Sequence, residues 1–477
     1  MARRPEKLII GPRVRRLRQT LGLTQTRMAE DLGISTSYLN LIERNQRAMS
    51  ANVLLKLAER YDFDISDLAG QSDQHLIAEV YEAVRDPMFR DSPVSKSEAE
   101  DLVSSSPNAA KALLKLYRQS RDLAKREAEA GGPSSTAELA ERSAEAVESV
   151  RLFLQKERNF FPRLDAVAEG LSAELNLDRN PTFSTLAGRL KERHLTTVRI
   201  MPISIMPNML RYYDRHSRRI QLSELLRTSG RQFQLAFQIG MLEQRDLIDQ
   251  IVKSANLPSQ DAEWLCRTSL ANYFAAALLM PYGRFLKEAE QTKYDIELLG
   301  HRFGTSFEQT AHRLTTLQKP EARGIPFFFI RVDIAGNVTK RFSSGKFHFS
   351  QFGGVCPLWN IHEAFINPDR TISQVIQMPD ETTFFSVARM VSRSDGTYEN
   401  PQQKFAIALG CDIAYANRLT YARGFDLENL KPTPIGVNCF LCERPDCLHR
   451  AHAPLNKALD FDERARSMSL YRFNDGE

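Results

Sequence analysis

The sequence predicts a mainly α, multidomain protein that ends in a mixed α+β region. Three observations support this fold class. The 477 residues exceed what one ordinary core serves, and length alone indicates roughly three domains of about 100–200 residues. Apolar residues recur at helical spacing through the first part of the chain. Near residue 325 the pattern changes to alternation, which indicates strands.

Composition excludes several classes of protein. Apolar residues at 42% and charged residues at 26% are typical of globular chains, so wholesale disorder and fibrous folds are not expected. No run of about 18 apolar residues and no signal peptide is found, so we expect a cytoplasmic protein without membrane contact. Six cysteines are too few for a disulfide framework in so long a chain, and a tight cluster of them indicates metal or redox chemistry.

Positive charge is concentrated at the start of the chain. Residues 1–47 contain ten Lys and Arg against four acidic residues, whereas the net charge of the whole chain is only +5. Neutralising phosphates requires charge only at the contact surface. A basic head on a nearly neutral body therefore indicates a nucleic-acid-binding end.

Residues 1–70 predict four or five short helices. Gly22 ends the first helix, Thr24 caps the second, Gly33 supplies a turn, and Ser35 caps the third. The stretches "LTQ", "LGIS" and "LNLIERNQR" closely resemble the helix-turn-helix domain of phage-repressor and Xre-type regulators. We therefore expect an all-α DNA-binding domain here.

That resemblance implies that the third helix enters the major groove of double-stranded operator DNA. The residues expected to face base edges are Thr36, Ser37, Tyr38 and Asn40. The residues expected near phosphates are Gln25, Arg44, Asn45 and Arg47. Because so small a domain buries a modest surface on DNA, we expect a homodimer or higher homo-oligomer that contacts two half-sites.

Residues 71–149 predict a helical connector. Leu113, Leu116 and Tyr117 are assigned to one helix face, and this stripe is either internal packing or a dimer seam. The stretch "GGPSSTAE", residues 131–138, combines helix breakers and predicts a hinge.

Residues 150–320 resemble the ImmA/IrrE metallopeptidases, in the segments "RQFQLAFQIGML" and "SLANYFAAALLMP". Activity in that family depends on an HExxH motif that binds zinc through two histidines and uses the glutamate as a base. Here Phe237, Gln238 and Met241 replace those three residues, and Leu270 stands where a third ligand is expected. We therefore expect an α+β domain that has lost its metal and is not an enzyme; the alternative is a zinc peptidase that cleaves a partner regulator.

Residues 321–477 predict an α+β domain. "FFFIRVD", "AGN" and "VTKRFS" form an antiparallel hairpin by pattern. The stretch "GGVCPLWNIHEAFINP" follows, and its Trp359 and His362 either line a pocket or complete a core.

Near the end, Cys439, Cys442 and Cys447 form a C-x2-C-x4-C cluster. A closed zinc site needs four ligands, and a [4Fe-4S] cluster usually takes four but can keep one ligand that is not cysteine. The candidates for a fourth ligand are His449, His452, Cys356 and Cys411. Zinc is the commoner metal for such a pair, whereas the lack of an evident fourth ligand favours an iron-sulfur cluster.

Taken together, these parts resemble the short-chain acyl-CoA-responsive transcription regulators of propionate, methylcitrate and glyoxylate-cycle genes. The resemblance covers nearly the full length, including "CPLWNIHEAF" and the final cysteine motif. It implies a propionyl-CoA-type effector and an iron-sulfur cluster, and it makes the cluster our expectation over zinc. The residues expected to contact the effector are Trp359, His362, Arg444 and Arg450. The alternative is a regulator that senses redox state or metal.

Overall fold

The computed structural model describes residues 11–43, 47, 49, 51–61, 71–86, 89, 94–129, 135–178, 182–345, 347, 349, 354–392, 398, 402–454, 459–460, 464, 468–469 and 471–473. The chain divides into two compact units, Met1–Gly132 and Pro133–Glu477, which we call unit 1 and unit 2. The division falls inside the stretch expected to act as a hinge. None of the described helices is long and apolar enough to cross a membrane.

The described residues of unit 1 are mainly helical. These helices are α1 (Gly11–Thr20), α2 (Gln25–Leu32), α3 (Thr36–Glu43), α4 (Ala51–Tyr61), α5 (Gln71–Val84), α6 (Lys96–Ser105) and α7 (Pro107–Glu129). The local signals explain the first turns. The Thr24 side chain accepts a hydrogen bond from the Arg27 N–H at the start of α2, and Gly33 adopts the left-handed conformation (φ 67°) that ends it.

The connector helices α5, α6 and α7 share a core of their own. Val80, Val103 and Leu114 are buried in it, and the Tyr117 hydroxyl donates to Asp86 at 2.9 Å. Leu113 packs against the same core, but Leu116 is 65% exposed, so the prediction that it shares the face of Tyr117 was wrong. Leu114 instead lies on the buried face with Tyr117, three residues further on, because residues three and four apart along a helix share a face.

The predicted hinge is shorter than expected. Helix α8 begins at Ser135, so residues 135–138 are helical. The alanines and glutamates that follow are strong helix formers and explain the early start.

Unit 2 contains further helices and two sheets. The helices are α8 (Ser135–Lys156), α9 (Pro162–Glu174), α10 (Thr182–His194), α11 (Thr228–Glu243), α12 (Arg245–Ser254), α13 (Gln260–Leu279), α14 (Tyr282–Gln291), α15 (Ile296–Phe303), α16 (Phe307–Leu314) and α17 (Glu363–Ile366). The strands are β1 (Thr197–Met201), β2 (Arg211–Asp214), β3 (Arg219–Ser223), β4 (Phe328–Asp333), β5 (Val338–Ser343), β6 (Ile372–Gln377), β7 (Thr383–Ser392), β8 (Lys404–Asp412) and β9 (Thr433–Pro434).

The two peptidase-like segments form α11 and α13, which pack against each other at close range. A Cβ atom on Gly240 would lie 2.6 Å from the Phe274 ring, so glycine is required at this crossing. A three-stranded sheet of order β1-β3-β2 accompanies these helices, with β2 at one edge. The middle region is therefore α+β.

A six-stranded sheet of order β5-β4-β8-β7-β6-β9 dominates the last region. The predicted hairpin is confirmed, since β4 and β5 pair antiparallel, and Gly336 (φ 81°) completes their turn. Both faces of β4 are covered, because Phe329 belongs to one apolar cluster and Phe328 to another. In the described part of this region the α-helix is confined to the four residues of α17, so residues 321–477 are richer in strand than expected.

A fully buried polar network joins α9, α13 and α16. The Arg313 guanidinium donates to the Asp165 carboxylate at 2.5 Å, and the side chains are 0% and 6% exposed. The Tyr273 hydroxyl donates to the same carboxylate, and Arg313 Nε donates to the Met280 carbonyl at 3.0 Å. Each charged group is thus paired as burial requires.

We expect Asp165→Asn to lower the free energy of unfolding of unit 2 by about 3–5 kcal/mol, because it leaves Arg313 buried without a counter-charge. Both tryptophans of the chain, Trp264 and Trp359, lie in this unit, so intrinsic fluorescence during urea unfolding reports on it. Glu290→Gln is the control, since it breaks an exposed pair with Arg418 worth at most about 1 kcal/mol. Equal effects of the two substitutions would contradict the assignment.

Candidate functional site

The expected recognition helix is α3, and its polar residues are available to a ligand. Thr36 and Ser37 are exposed, and Tyr38 and Asn40 are half-buried. The guanidinium of the exposed Arg47 lies 5.5 Å from the centroid of the Tyr38 ring, so this cation sits beside the helix. Arg44 and Asn45 lie outside the described residues.

Gln25 has a partner inside the domain. Its amide donates to Glu43 Oε2 at 2.7 Å, and Arg18 Nε donates to Glu43 Oε1 at 2.7 Å. Glu43 is buried at the end of α3, and its hydrogen bond raises the pKa of Arg18. This network fixes α1 and α2 on α3, a role that sequence reasoning missed because the partners are far apart in sequence.

The positions of the lost zinc motif are filled by packing. Phe237 and Gln238 are buried on α11, Met241 is half-buried, and Leu270 on α13 is fully buried. Within the described residues, no group of three His, Cys, Asp or Glu side chains is arranged to hold a metal ion. One basic side chain, Arg211 from β2, contacts Phe237 and Gln238.

A cavity of about 730 Å³ opens between the peptidase-like helices and the six-stranded sheet, and we call it the interdomain cavity. Ser229, Gly230 and Phe233 from α11 line one side, and Lys340 and Arg389 from the sheet line the other. Both walls belong to unit 2. The volume is within the range of about 300–1,000 Å³ that is usual for small-molecule sites.

Two helix N-termini meet at this cavity. Helix α16 starts there with a capping box between Ser306 and Gln309, and the Gln309 amide donates to the Ser229 carbonyl in the first turn of α11 at 3.4 Å. Helix N-termini attract anions because their first N–H groups lack helical partners. This end of the cavity therefore suits phosphate or carboxylate groups.

His312 presents a polar atom without a partner. Its Nε2 is buried and has no hydrogen-bond partner in the structure, although the residue lines the cavity. The ring packs edge-on against Phe342, with the centroids 4.6 Å apart. Burial, reinforced by the charge of Lys340, lowers the pKa of His312 well below its ordinary value, so the imidazole is neutral at pH 7.

The four residues expected to contact the effector do not line this cavity. The Trp359 indole donates to Ser386 at 2.9 Å and is buried in the core, and His362 is half-buried. Arg444 donates to the carbonyls of Ile435, Gln377 and Met378, and Arg450 donates to those of Cys439 and Cys442. These arginines hold the cysteine loop in place. The spaces beside Trp359 and beside the arginines measure only about 20 and 10 Å³.

The cysteine cluster has a fourth thiol beside it. Cys356, Cys439, Cys442 and Cys447 all line one small space. Burial raises the pKa of Cys356, and the neighbouring Cys439 and Cys442 add to the rise. Of the other expected ligands, Cys411 is buried in the other apolar cluster, and the His452 ring stacks on Phe440 with centroids 4.3 Å apart. The sequence named Cys356 as one of four options, and the fold brings it to the cluster.

A helix-turn-helix head in unit 1 and a large ligand-sized cavity in unit 2 define the class of a ligand-responsive DNA-binding regulator. Family models agree along the chain: "Helix-turn-helix" matches residues 14–68, "IrrE N-terminal-like domain" matches 191–315, and "Short-chain fatty acyl coenzyme A regulator, C-terminal" matches 316–471.

Curated relatives match over nearly their whole length. The transcriptional regulator RamB of Mycobacterium tuberculosis is 38% identical, with 98% of each chain covered. The propionyl-CoA carboxylase regulator of Cereibacter sphaeroides is 38% identical, covering 98% of this chain and all of the relative. A solved Mycobacterium tuberculosis transcriptional regulator matches with a TM-score of 0.65 and 40% identity, over 69% of this chain and 99% of that structure. The chain belongs to this family of short-chain fatty acyl-CoA transcription regulators.

We expect Asn40→Ala to weaken binding to a preferred operator, obtained by selection from random duplexes, by about 1–3 kcal/mol with loss of preference at one base position. Arg47→Ala should weaken binding to all sequences alike and lower the salt slope by about one. Fluorescence anisotropy over a salt series measures both. Lys111→Ala, exposed on α7, is the control; a loss as large as that of Asn40→Ala would argue against α3 as the reading helix.

Proposed function

We propose that this protein changes its affinity for operator DNA when a short-chain acyl-CoA, with propionyl-CoA as the first ligand to test, binds in the interdomain cavity. The observation that carries the proposal is the size and lining of that cavity. Its volume is about 730 Å³, and it is built from both the peptidase-like helices and the acyl-CoA regulator sheet. The name of the Cereibacter relative supports the choice of ligand.

The two ends of the cavity suit the two ends of such a ligand. The N-terminus of α11, which has neither a side-chain cap nor an acid in its first turn, offers positive potential to phosphates, and Lys340, which lies 4.0 Å from Glu308, lines the same cavity. Phe233 and Phe307 offer apolar surface to a short acyl chain. His312 Nε2 offers one hydrogen bond to a polar group between them, such as a thioester carbonyl.

A ligand can regulate only by binding two states of the protein unequally. A cavity with walls from two structural regions meets this condition, because closing around a ligand changes how those walls pack. A tenfold change in operator affinity requires a coupling of about 1.4 kcal/mol. We infer a homodimer as the DNA-binding form, since two half-sites multiply the affinity of so small a head.

The same proposal assigns the peptidase-like region to binding rather than cleavage. Phe237, Gln238 and Met241 offer zinc neither imidazole nor carboxylate, and the space between α11 and α13 is filled. Its scaffold instead supplies one wall of the interdomain cavity.

We further propose that Cys356, Cys439, Cys442 and Cys447 hold a [4Fe-4S] cluster, with zinc as the alternative. Four thiols on one small space give the donor set that both centres accept. When bound, the group would cross-link the loop and could report redox state. Arg444 and Arg450, held by loop carbonyls, would offset its negative charge.

The test of function uses the full-length chain, a selected operator duplex and fluorescence anisotropy at fixed salt. We expect propionyl-CoA to change the operator Kd about tenfold or more, and free CoA to do less. His312→Phe should abolish the ligand effect but keep operator binding without ligand, because it removes the buried, unpartnered Nε2 of a residue that lines the cavity. His216→Phe, exposed away from the cavity, should behave as wild type. No response of the wild type to millimolar acyl-CoA would refute the proposal.

The test of the metal centre is anaerobic purification followed by visible absorption and metal analysis. We expect a coloured protein with four irons per chain, as the [4Fe-4S] formula requires, and loss of most iron and colour in Cys356→Ser and in Cys439→Ser. Cys411→Ser, buried elsewhere in the sheet, should keep both. A colourless protein with one zinc would replace the cluster by zinc, and a Cys356→Ser variant with full metal content would remove Cys356 from the site.

A further inference from the structure

An arginine lies against the helix face where the related peptidases carry their zinc motif. Arg211 opens the edge strand β2. Its guanidinium carbon lies 4.2 Å from the centroid of the Phe237 ring, and its Nη1 donates to Gln238 Oε1 at 2.7 Å. Phe237 and Gln238 occupy the first two positions of the lost motif. A positively charged side chain therefore lies on the face of α11 where the related peptidases carry their metal ligands.

In the described part of the chain Arg211 has no acid partner, in contrast to three other shielded arginines. Arg18, Arg189 and Arg313 each donate to a carboxylate, from Glu43, Glu243 and Asp165 respectively. In the described part of the chain, the contacts of Arg211 are the Gln238 amide and the Phe237 ring. Burial lowers the pKa of Arg211 to about 10, whereas acid partners raise the pKa of Arg18 and Arg189.

Partly burying a cation without a counter-charge costs free energy, and a bound anion offsets that cost. The guanidinium carries five N–H donors in a planar fork that matches phosphate and carboxylate oxygens. Gln238 accepts from one end of that fork, and stacking on Phe237 holds its plane. The remaining donors are thus oriented before any ligand arrives.

We propose that Arg211, positioned by Gln238 and Phe237, binds a phosphate oxyanion, so that the face which lost a zinc site has become an anion site. The adjacent Leu210 lines the interdomain cavity, as do Phe233 and Gln234, one turn before Phe237 on α11. The phosphate of choice is therefore one carried by the bound acyl-CoA. That source rests on the proposed function, whereas the oxyanion site itself does not.

The first experiment measures the melting temperature of the full-length chain in inorganic phosphate and in chloride at matched ionic strength. We expect phosphate to raise the melting temperature of the wild type, by linkage to binding, and not that of Arg211→Met. In chloride, Arg211→Met removes an uncompensated charge but also the hydrogen bond to the buried Gln238, so the test is the phosphate response and not the melting temperature in chloride. Arg219→Met removes an exposed arginine from the neighbouring strand β3 and should keep the phosphate response.

Arg211→Lys keeps the charge without the planar fork and should retain only part of the response. The site is refuted if phosphate stabilises Arg211→Met as much as wild type.

The second experiment identifies the source of the phosphate by titrating propionyl-CoA, propionyl-3′-dephospho-CoA and propionyl-pantetheine. If the ligand supplies it, Arg211→Met should bind propionyl-CoA at least about tenfold more weakly, about 1.4 kcal/mol, and propionyl-pantetheine equally well. The dephospho analogue shows whether the 3′-phosphate is the one bound. An unchanged affinity for propionyl-CoA assigns the site to free phosphate. If the wild type binds none of the three acyl ligands, the proposed effector is refuted. The melting experiment still tests the oxyanion site independently.

Discussion

The buried ion pair between Asp165 and Arg313 is the constraint on which the geometry of unit 2 depends. It joins α9 to α16, and the Tyr273 hydroxyl brings α13 to the same carboxylate. Asn272 and His312, which directly precede Tyr273 and Arg313 in the sequence, line the interdomain cavity. A buried pair is weak evidence for stability but good evidence for a unique arrangement, because few other packings satisfy both charges. The pair thus fixes two walls of the cavity that the effector is proposed to fill.

Loss of the zinc ligands left this scaffold with a packing problem that apolar contact has solved. A zinc site contributes to holding helices together, and its removal leaves polar positions that no longer have partners. Here Leu270 is fully buried, and α11 crosses α13 so closely that Gly240 admits no side chain. Arg211 places a positive charge on the same face of α11.

Much of this organisation can be predicted because its signals are local. Thr24, Gly33 and Ser35 mark helix ends within a few residues, and the missing motif needs only Phe237, Gln238 and Met241. What the sequence hides is proximity. Cys356 stands far from Cys439 along the chain, and no spacing rule selects it over Cys411 or His452. The sequence left Trp359 open between lining a pocket and completing a core, and in the structure its indole donates to Ser386 inside a core.

Strand β4 connects the two proposed binding sites, the interdomain cavity and the cysteine cluster. Side chains of a strand alternate between faces, and here Phe329 and Arg331 face α16, with Arg331 donating to Glu308 at 2.7 Å. Phe328 and Ile330 face the cluster that contains Cys356. A single sheet therefore separates the cavity from the cysteine loop, and Arg444 ties that loop to the carbonyls at the end of β6. A ligand that shifts side chains on one face of the sheet also changes the packing on the opposite face, because close-packed protein interiors transmit strain. Acyl-CoA and redox signals need not be alternatives, since both would act on the same six strands.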